Sequence, residues 1–280
     1  MSQVDVRSNI ISISLCNIML FQALLGYGEK ETEMQWLCGG SLISKRFILT
    51  AGALGVLRIS YAALGVLKRT DPEELWQKYK IQNIIVHPEY KSPSKYHDIA
   101  LLKTTTRYWS FFSVVLPTHI CILIQNLIFV IQSALWKKLV RFSPAVLPAC
   151  VNSRETIWSG FEWASAMGWG ALGNRRKLAD TLQEVTLWRF PPEECANLYP
   201  AHRHLVSGYN HTTQMCYGHR AEVKDTCMGD SGGPLTTKSG CMYDITGVTS
   251  YGRACGYPGQ AGIYTRVRYY VPWIESVVWP

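Results

Sequence analysis

The stretch Lys224-Asp225-Thr226-Cys227-Met228-Gly229-Asp230-Ser231-Gly232-Gly233-Pro234 constrains this chain more than any other. A serine flanked by Gly-Asp on one side and by two glycines on the other suits a nucleophile held in a tight turn. Glycine adopts positive φ without steric cost and lets the main chain approach a ligand closely. Backbone N–H groups beside Ser231 can then face a developing oxyanion instead of a neighbouring carbonyl. Gly-Asp-Ser-Gly alone also occurs in ordinary loops and is weak evidence. The eleven-residue run is far more specific.

That run resembles the nucleophile loop of the chymotrypsin- and trypsin-like serine peptidases, in particular the catalytic domain of the insect clip-type secreted proteases. Other stretches extend the resemblance. Phe21 to Tyr27 with Gln35 to Ile43 looks like the family's first hairpin, turning through the acidic Glu29 to Glu33. Arg46 to Gly52 looks like the strand and turn that follow, and Tyr96-His97-Asp98-Ile99-Ala100-Leu101-Leu102-Lys103 like the strand that carries the triad aspartate. Met167-Gly168-Trp169-Gly170 resembles the signature that opens the second half, and Tyr269 to Trp279 the terminal helix, with Trp273, Ile274, Val277 and Val278 on one face at helical spacing. The resemblance implies an all-β fold of two perpendicular six-stranded antiparallel β-barrels plus a C-terminal α-helix.

Residue by residue, it implies Ser231 as nucleophile, Asp98 as the triad acid, and the N–H groups of Gly229 and Ser231 as the oxyanion hole. Asp225 matches the acid at the base of the primary specificity pocket, with Gly252 and Gly262 leaving its walls open. A substrate with Lys or Arg before the scissile bond is therefore expected, since a carboxylate at a pocket floor is costly unless a cation pairs with it. Ser250 and Gly252 belong to the segment along which substrate backbone adds as an extra strand. Asp230 is expected to receive the amino terminus formed on activation. Cys195 with Cys216, and Cys227 with Cys255, match family disulfides.

Several departures accompany these matches. Where the family carries its catalytic histidine and the cysteine that pairs with Cys38, this chain has Ala53 and Leu54. The block Ala53-Leu54-Gly55-Val56-Leu57-Arg58 is nearly repeated as Ala63-Leu64-Gly65-Val66-Leu67-Lys68, and only the second copy falls where the family has a strand. Without an imidazole to take its proton, a serine hydroxyl is a poor nucleophile at neutral pH. His87 and His97 are poor substitutes, His97 because neighbouring side chains on an extended segment point to opposite faces. No basic residue followed by Ile-Val-Gly-Gly occurs upstream, so residues 1–20 are read as an atypical N-terminal segment without an activation site. Residues 21–280 are read as the peptidase domain, interrupted at 108–139 by an apolar insert. Joining Arg107 to Val140 restores an unbroken family segment.

Within that insert, Ile120 to Trp136 approaches membrane-spanning length, but Gln125, Asn126, Gln132 and Ser133 make spanning costly. The net charge of +8 comes with no long basic run or recognition motif, which argues against a nucleic-acid partner. Nine cysteines without a CxxC pair or a Cys/His cluster fit disulfides better than zinc, so no metal and no cofactor is expected. Disulfides and the acceptor triplet Asn210-His211-Thr212 point to the extracellular space, although the first twenty residues make a poor signal peptide. By resemblance the partners are polypeptide substrates and serpin-type inhibitors. Cys16, Cys38, Cys121, Cys150 and Cys241 have no evident mates. The alternative to a peptidase is a non-catalytic homologue that binds or regulates other proteins.

Overall fold

A computed structural model describes residues 2–3, 21–30, 33–106, 146, 148–151, 163–239 and 242–280. The apolar insert at 108–139, nearly all of the N-terminal segment, and Cys16, Cys121 and Cys241 lie outside these described residues.

Fourteen strands occur among the described residues, β1 (Ser2–Gln3), β2 (Gln22–Tyr27), β3 (Gln35–Leu42), β4 (Phe47–Thr50), β5 (Ile59–Leu64), β6 (Gln77–Val86), β7 (Ala100–Thr104), β8 (Cys150–Val151), β9 (Trp163–Gly168), β10 (Gln183–Arg189), β11 (Gln214–Gly218), β12 (Pro234–Ser239), β13 (Met242–Tyr251) and β14 (Ala261–Arg266). The helices are α1 (Gly52–Gly55), α2 (Pro192–Leu198) and α3 (Val271–Val278). Strands β2-β3-β4-β7-β6-β5 close one antiparallel barrel. Strands β9, β10, β11, β14, β13 and β12 close a second six-stranded antiparallel ring through the β10–β9 pairing, with β1 and β8 at its margin. Closure removes the exposed edges that an open sheet would offer for aggregation. The fold is the one the family resemblance implies.

In β4 all four residues are buried, and β7 buries Ala100, Leu101 and Leu102, so these central strands are apolar on both faces instead of alternating. Their side chains share one core with Val271, Ile274 and Val278 of α3. Trp273 and Val277 pack against that core only partly buried, so the apolar helical stripe is core lining, as its spacing predicts. The second barrel fills with Ala164, Val185, Leu187, Met215, Leu235 and Tyr264 among others.

A third cluster joins the halves. Trp169 and Leu182 meet Leu24, Trp36, Val66 and Trp76 of the first barrel, and Trp169 donates its indole N–H to the Leu67 carbonyl at 3.3 Å. A tryptophan buried here removes roughly 200 Å² from water, a gross gain of about 5 kcal/mol. Two disulfides, Cys195–Cys216 and Cys227–Cys255, close in the second half. Cys150, which the resemblance leaves without a mate, is also disulfide-bonded, correcting that expectation. Cys38 is a free thiol. Among the described residues no helix is long and apolar enough to cross a membrane.

Candidate active site

Asp98 stands just before β7 and is 3% exposed. Its Oδ1 accepts the Ala53 amide at 2.6 Å, its Oδ2 accepts the Ser250 hydroxyl, and its carbonyl accepts Thr265 Oγ1 at 2.8 Å. Burial pushes its carboxyl above the usual range, while Ser250, the Ala53 and Gly52 amides and the charge of Lys95 pull it back. The contact with Ser250 comes from an irregularity in β13. Thr249 pairs with Tyr264 and Tyr251 with Ile263, leaving Ser250 as an extra residue between two ladder positions. A bulge of this kind re-aims a side chain out of the alternating pattern, and here it aims Ser250 across the molecule at Asp98.

Ser231 lies in the turn between Asp230 and β12. Its carbonyl accepts the Gly39 amide at 2.9 Å, Gly232 N–H donates to Thr249 O at 2.7 Å, and Gly233 N–H to Asp230 O at 3.0 Å. Gly232 has φ +78°, and a Cβ there would stand 2.1 Å from Thr50 Oγ1, 2.5 Å from Gly39 O and 2.7 Å from Leu54 Cδ1. Both the conformation and the crowding require glycine. Among the described residues the amides of Gly229 and Ser231 donate to no protein acceptor, and Gly229 has φ +100°. Free donors in such a turn are what a developing oxyanion needs.

Asp230 is 1% exposed and accepts the Gly170 amide on Oδ1 at 2.8 Å and the Cys227 amide on Oδ2 at 2.9 Å. A Cβ on Gly168 would stand 2.1 Å from Asp230 Oδ1, and one on Gly170 would meet the carboxylate at 2.3 to 2.5 Å. The Gly-Trp-Gly signature thus has a steric cause: its glycines admit Asp230 and its tryptophan bridges the barrels. Burial pushes the Asp230 carboxyl up to about 6, against the pull of its two amide donors. No ion pair reaches it among the described residues.

Beside Ser231 opens a cavity of about 390 Å³ lined by Thr226, Met228, Ser250, Gly252, Arg253 and Gly262 among others. Asp225 is set back from the open wall, its Oδ1 3.4 Å from where a Gly262 Cβ would be. That oxygen is out of solvent and accepts no hydrogen bond among the described residues. Burial pushes the Asp225 carboxyl up to about 7; the Thr226 amide opposes the shift and the charge of Asp230 adds to it.

The structure therefore brings Asp98, Ala53 and Ser250 into contact and gathers Ser231, Ser250, Gly252 and Gly262 around one cavity, with Asp225 behind it. Ala53 places its backbone on Asp98 but has only a methyl to offer, and Leu54 packs into the first-barrel core. His87 and His97 stack on each other with ring centroids 5.6 Å apart, and among the described residues no histidine nitrogen bonds to Asp98 or Ser231. The Ser250–Asp98 bond was not legible beforehand, because it depends on a bulge that no local periodicity announces.

A family model described as Trypsin matches residues 16–274. Serine protease snk of Drosophila melanogaster is 31% identical over 258 residues, covering 90% of this chain and 51% of that protein. Coagulation factor XI of Bos taurus is 30% identical over 245 residues (85% and 33%), and venom serine protease Bi-VSP of Bombus ignitus 31% identical over 245 residues (85% and 58%). The chain thus spans from a third to somewhat over half the length of these curated relatives.

Proposed function

We propose, for a chain that belongs to the trypsin family of serine proteases, that it is an extracellular member directed at Lys or Arg side chains whose hydrolytic step is disabled. The observation that carries this reading is the Ala53 amide bonded to Asp98: the backbone that should present a base is in position and the base is absent. In this reading Ser231 is the nucleophile, Asp98 the triad acid, and the Gly229 and Ser231 amides the oxyanion hole. Residues 21–280 form the peptidase domain, interrupted at 108–139, and serpin-type inhibitors are candidate partners. A basic side chain runs over Gly252 and Gly262, whose missing side chains leave the wall open, to Asp225, whose unpartnered oxygen supports the assignment. Substrate backbone runs along Ser250 to Gly252, and Asp230 would take a cationic terminus.

With Ser231 unable to hand its proton to an imidazole, turnover falls on the order of 10⁴- to 10⁶-fold, leaving the oxyanion donors and binding to supply what remains. The second reading, a homologue that binds Lys- or Arg-bearing polypeptides without cleaving them, rests on the same Asp225 oxygen. The two are separated by replacing Ala53→His together with Leu54→Cys and following an arginine anilide and labelling by a serine-directed phosphonate. Recovery of turnover and labelling supports a disabled peptidase. Equal rates for the parent and the variant would remove Ala53 from the explanation, and binding without recovery favours the homologue.

A further inference from the structure

We propose that His87, Glu89 and His97 form a binding site for a divalent transition-metal ion, with Zn²⁺ as its representative. The sequence shows no ligand cluster here, because the two histidines stand ten positions apart in a loop. The fold assembles it. Strands β6 and β7 pair with Val86 opposite Ala100, and the His87 amide donates to the Ile99 carbonyl at 3.1 Å, so the loop between them returns on itself. The two imidazoles then face each other at 5.6 Å with planes 12° apart. Glu89 Oε2 lies 3.3 Å from His97 Nδ1, and one ligand atom from each of the three residues falls within 4.8 Å of the others.

Two imidazoles and a carboxylate are a donor set for zinc, copper or nickel, whereas calcium and magnesium prefer oxygen alone. Zinc bonds of about 2.0–2.2 Å in a tetrahedron put ligand atoms roughly 3.3–3.5 Å apart. The Glu89–His97 pair already stands at that spacing, and a His87 ligand atom lies within 4.8 Å of both, so an ion would have to draw it inward. His87 is 9% exposed and is held edge-on by Tyr270 at 5.0 Å and Trp273 at 4.9 Å. Its Nδ1 accepts the Glu89 amide over a long 3.3 Å, a weak bond that gives way if that nitrogen is to ligate an ion. Glu89 is mostly exposed and gives an ion a path from solvent, while Tyr270 Oη, 3.1 Å from His97 Nδ1, leaves a polar group beside a fourth position. His97 holds φ +54°, a conformation that histidine, asparagine and aspartate adopt more readily than other side chains. A simple ion pair between Glu89 and His97 does not explain the second imidazole stacked against it. His97 also immediately precedes Asp98, so occupancy would fix the segment from which that carboxylate projects. The site stands apart from the peptidase reading, and its failure leaves that reading untouched.

The test is calorimetric titration of Zn²⁺ into the chelator-treated full chain, with a thermal melt as second readout. His87 is packed against α3, so the variants are Glu89→Gln, at an exposed position, and His97→Asn, a residue that tolerates the same backbone. One equivalent is expected to bind and raise the melting temperature. Each variant should keep the metal-free melt and weaken binding by more than the roughly 10- to 100-fold that loss of a merely supporting group costs. Absence of a one-equivalent event, or binding unchanged in both variants, overturns the proposal.

Discussion

Benzamidine binding measured across pH tests the cavity beside Ser231 most directly. Its amidinium pairs with Asp225 only when that carboxyl is ionised, and burial pushes Asp225 up to about 7. The apparent dissociation constant then scales as 1 + 10 raised to (pKa − pH), a factor of about 100 at pH 5 and about 1.1 at pH 8. From pH 8 to pH 5 binding should weaken roughly 90-fold, about 2.7 kcal/mol. An ordinary carboxylate titrating near 3.9 would change by only about a tenth over the same range. Calorimetry at pH 5, 6, 7 and 8 on the parent and on Asp225→Asn provides the comparison. The variant should lose about 2–5 kcal/mol of affinity at pH 8, as truncation of one partner of a buried charge pair does, and its profile should be flat. A flat profile in the parent, or unchanged affinity in the variant, would refute both the raised Asp225 carboxyl and the Lys/Arg assignment built on it.

Asp230, raised to about 6, makes stability pH-dependent in a definite direction. The folded state holds this proton more tightly than the unfolded chain, whose aspartates titrate near 3.9, so the contribution is full below about pH 4 and is lost as pH rises through 6. The loss is on the order of 3 kcal/mol at most, and urea midpoints at pH 4 and pH 7 should differ more in the parent than in Asp230→Asn; equal differences would count against it. Gly168→Ala, with its Cβ 2.1 Å from Asp230 Oδ1, should lower the melting temperature by an overpacking cost of about 3 kcal/mol. Adding Asp230→Ala should relieve much of that cost, whereas strictly additive losses would show the two positions to be uncoupled.

The sequence by itself determined the strand-rich character of the chain, the amphipathic terminal helix, the nucleophile-like turn and the absence of a histidine at Ala53. These are local facts: periodicity reports which faces are buried, glycines mark turns needing positive φ, and a missing imidazole is missing in any fold. Tertiary structure decided the rest. Ser250 reaches Asp98 over 152 positions only because β13 carries an extra residue before Tyr251. Gly168 and Gly170 are glycines because Asp230, sixty positions from Gly170, is driven between them. Cys38, the extra residue opposite the Leu24–Leu25 step, holds φ +59° and keeps a free thiol, while Leu54 packs where its mate was expected. His87, Glu89 and His97 meet only because β6 and β7 pair in one register. Such contacts depend on register and on bulges, which are chosen by the packing of the whole barrel and leave no periodic trace in the segments that carry them.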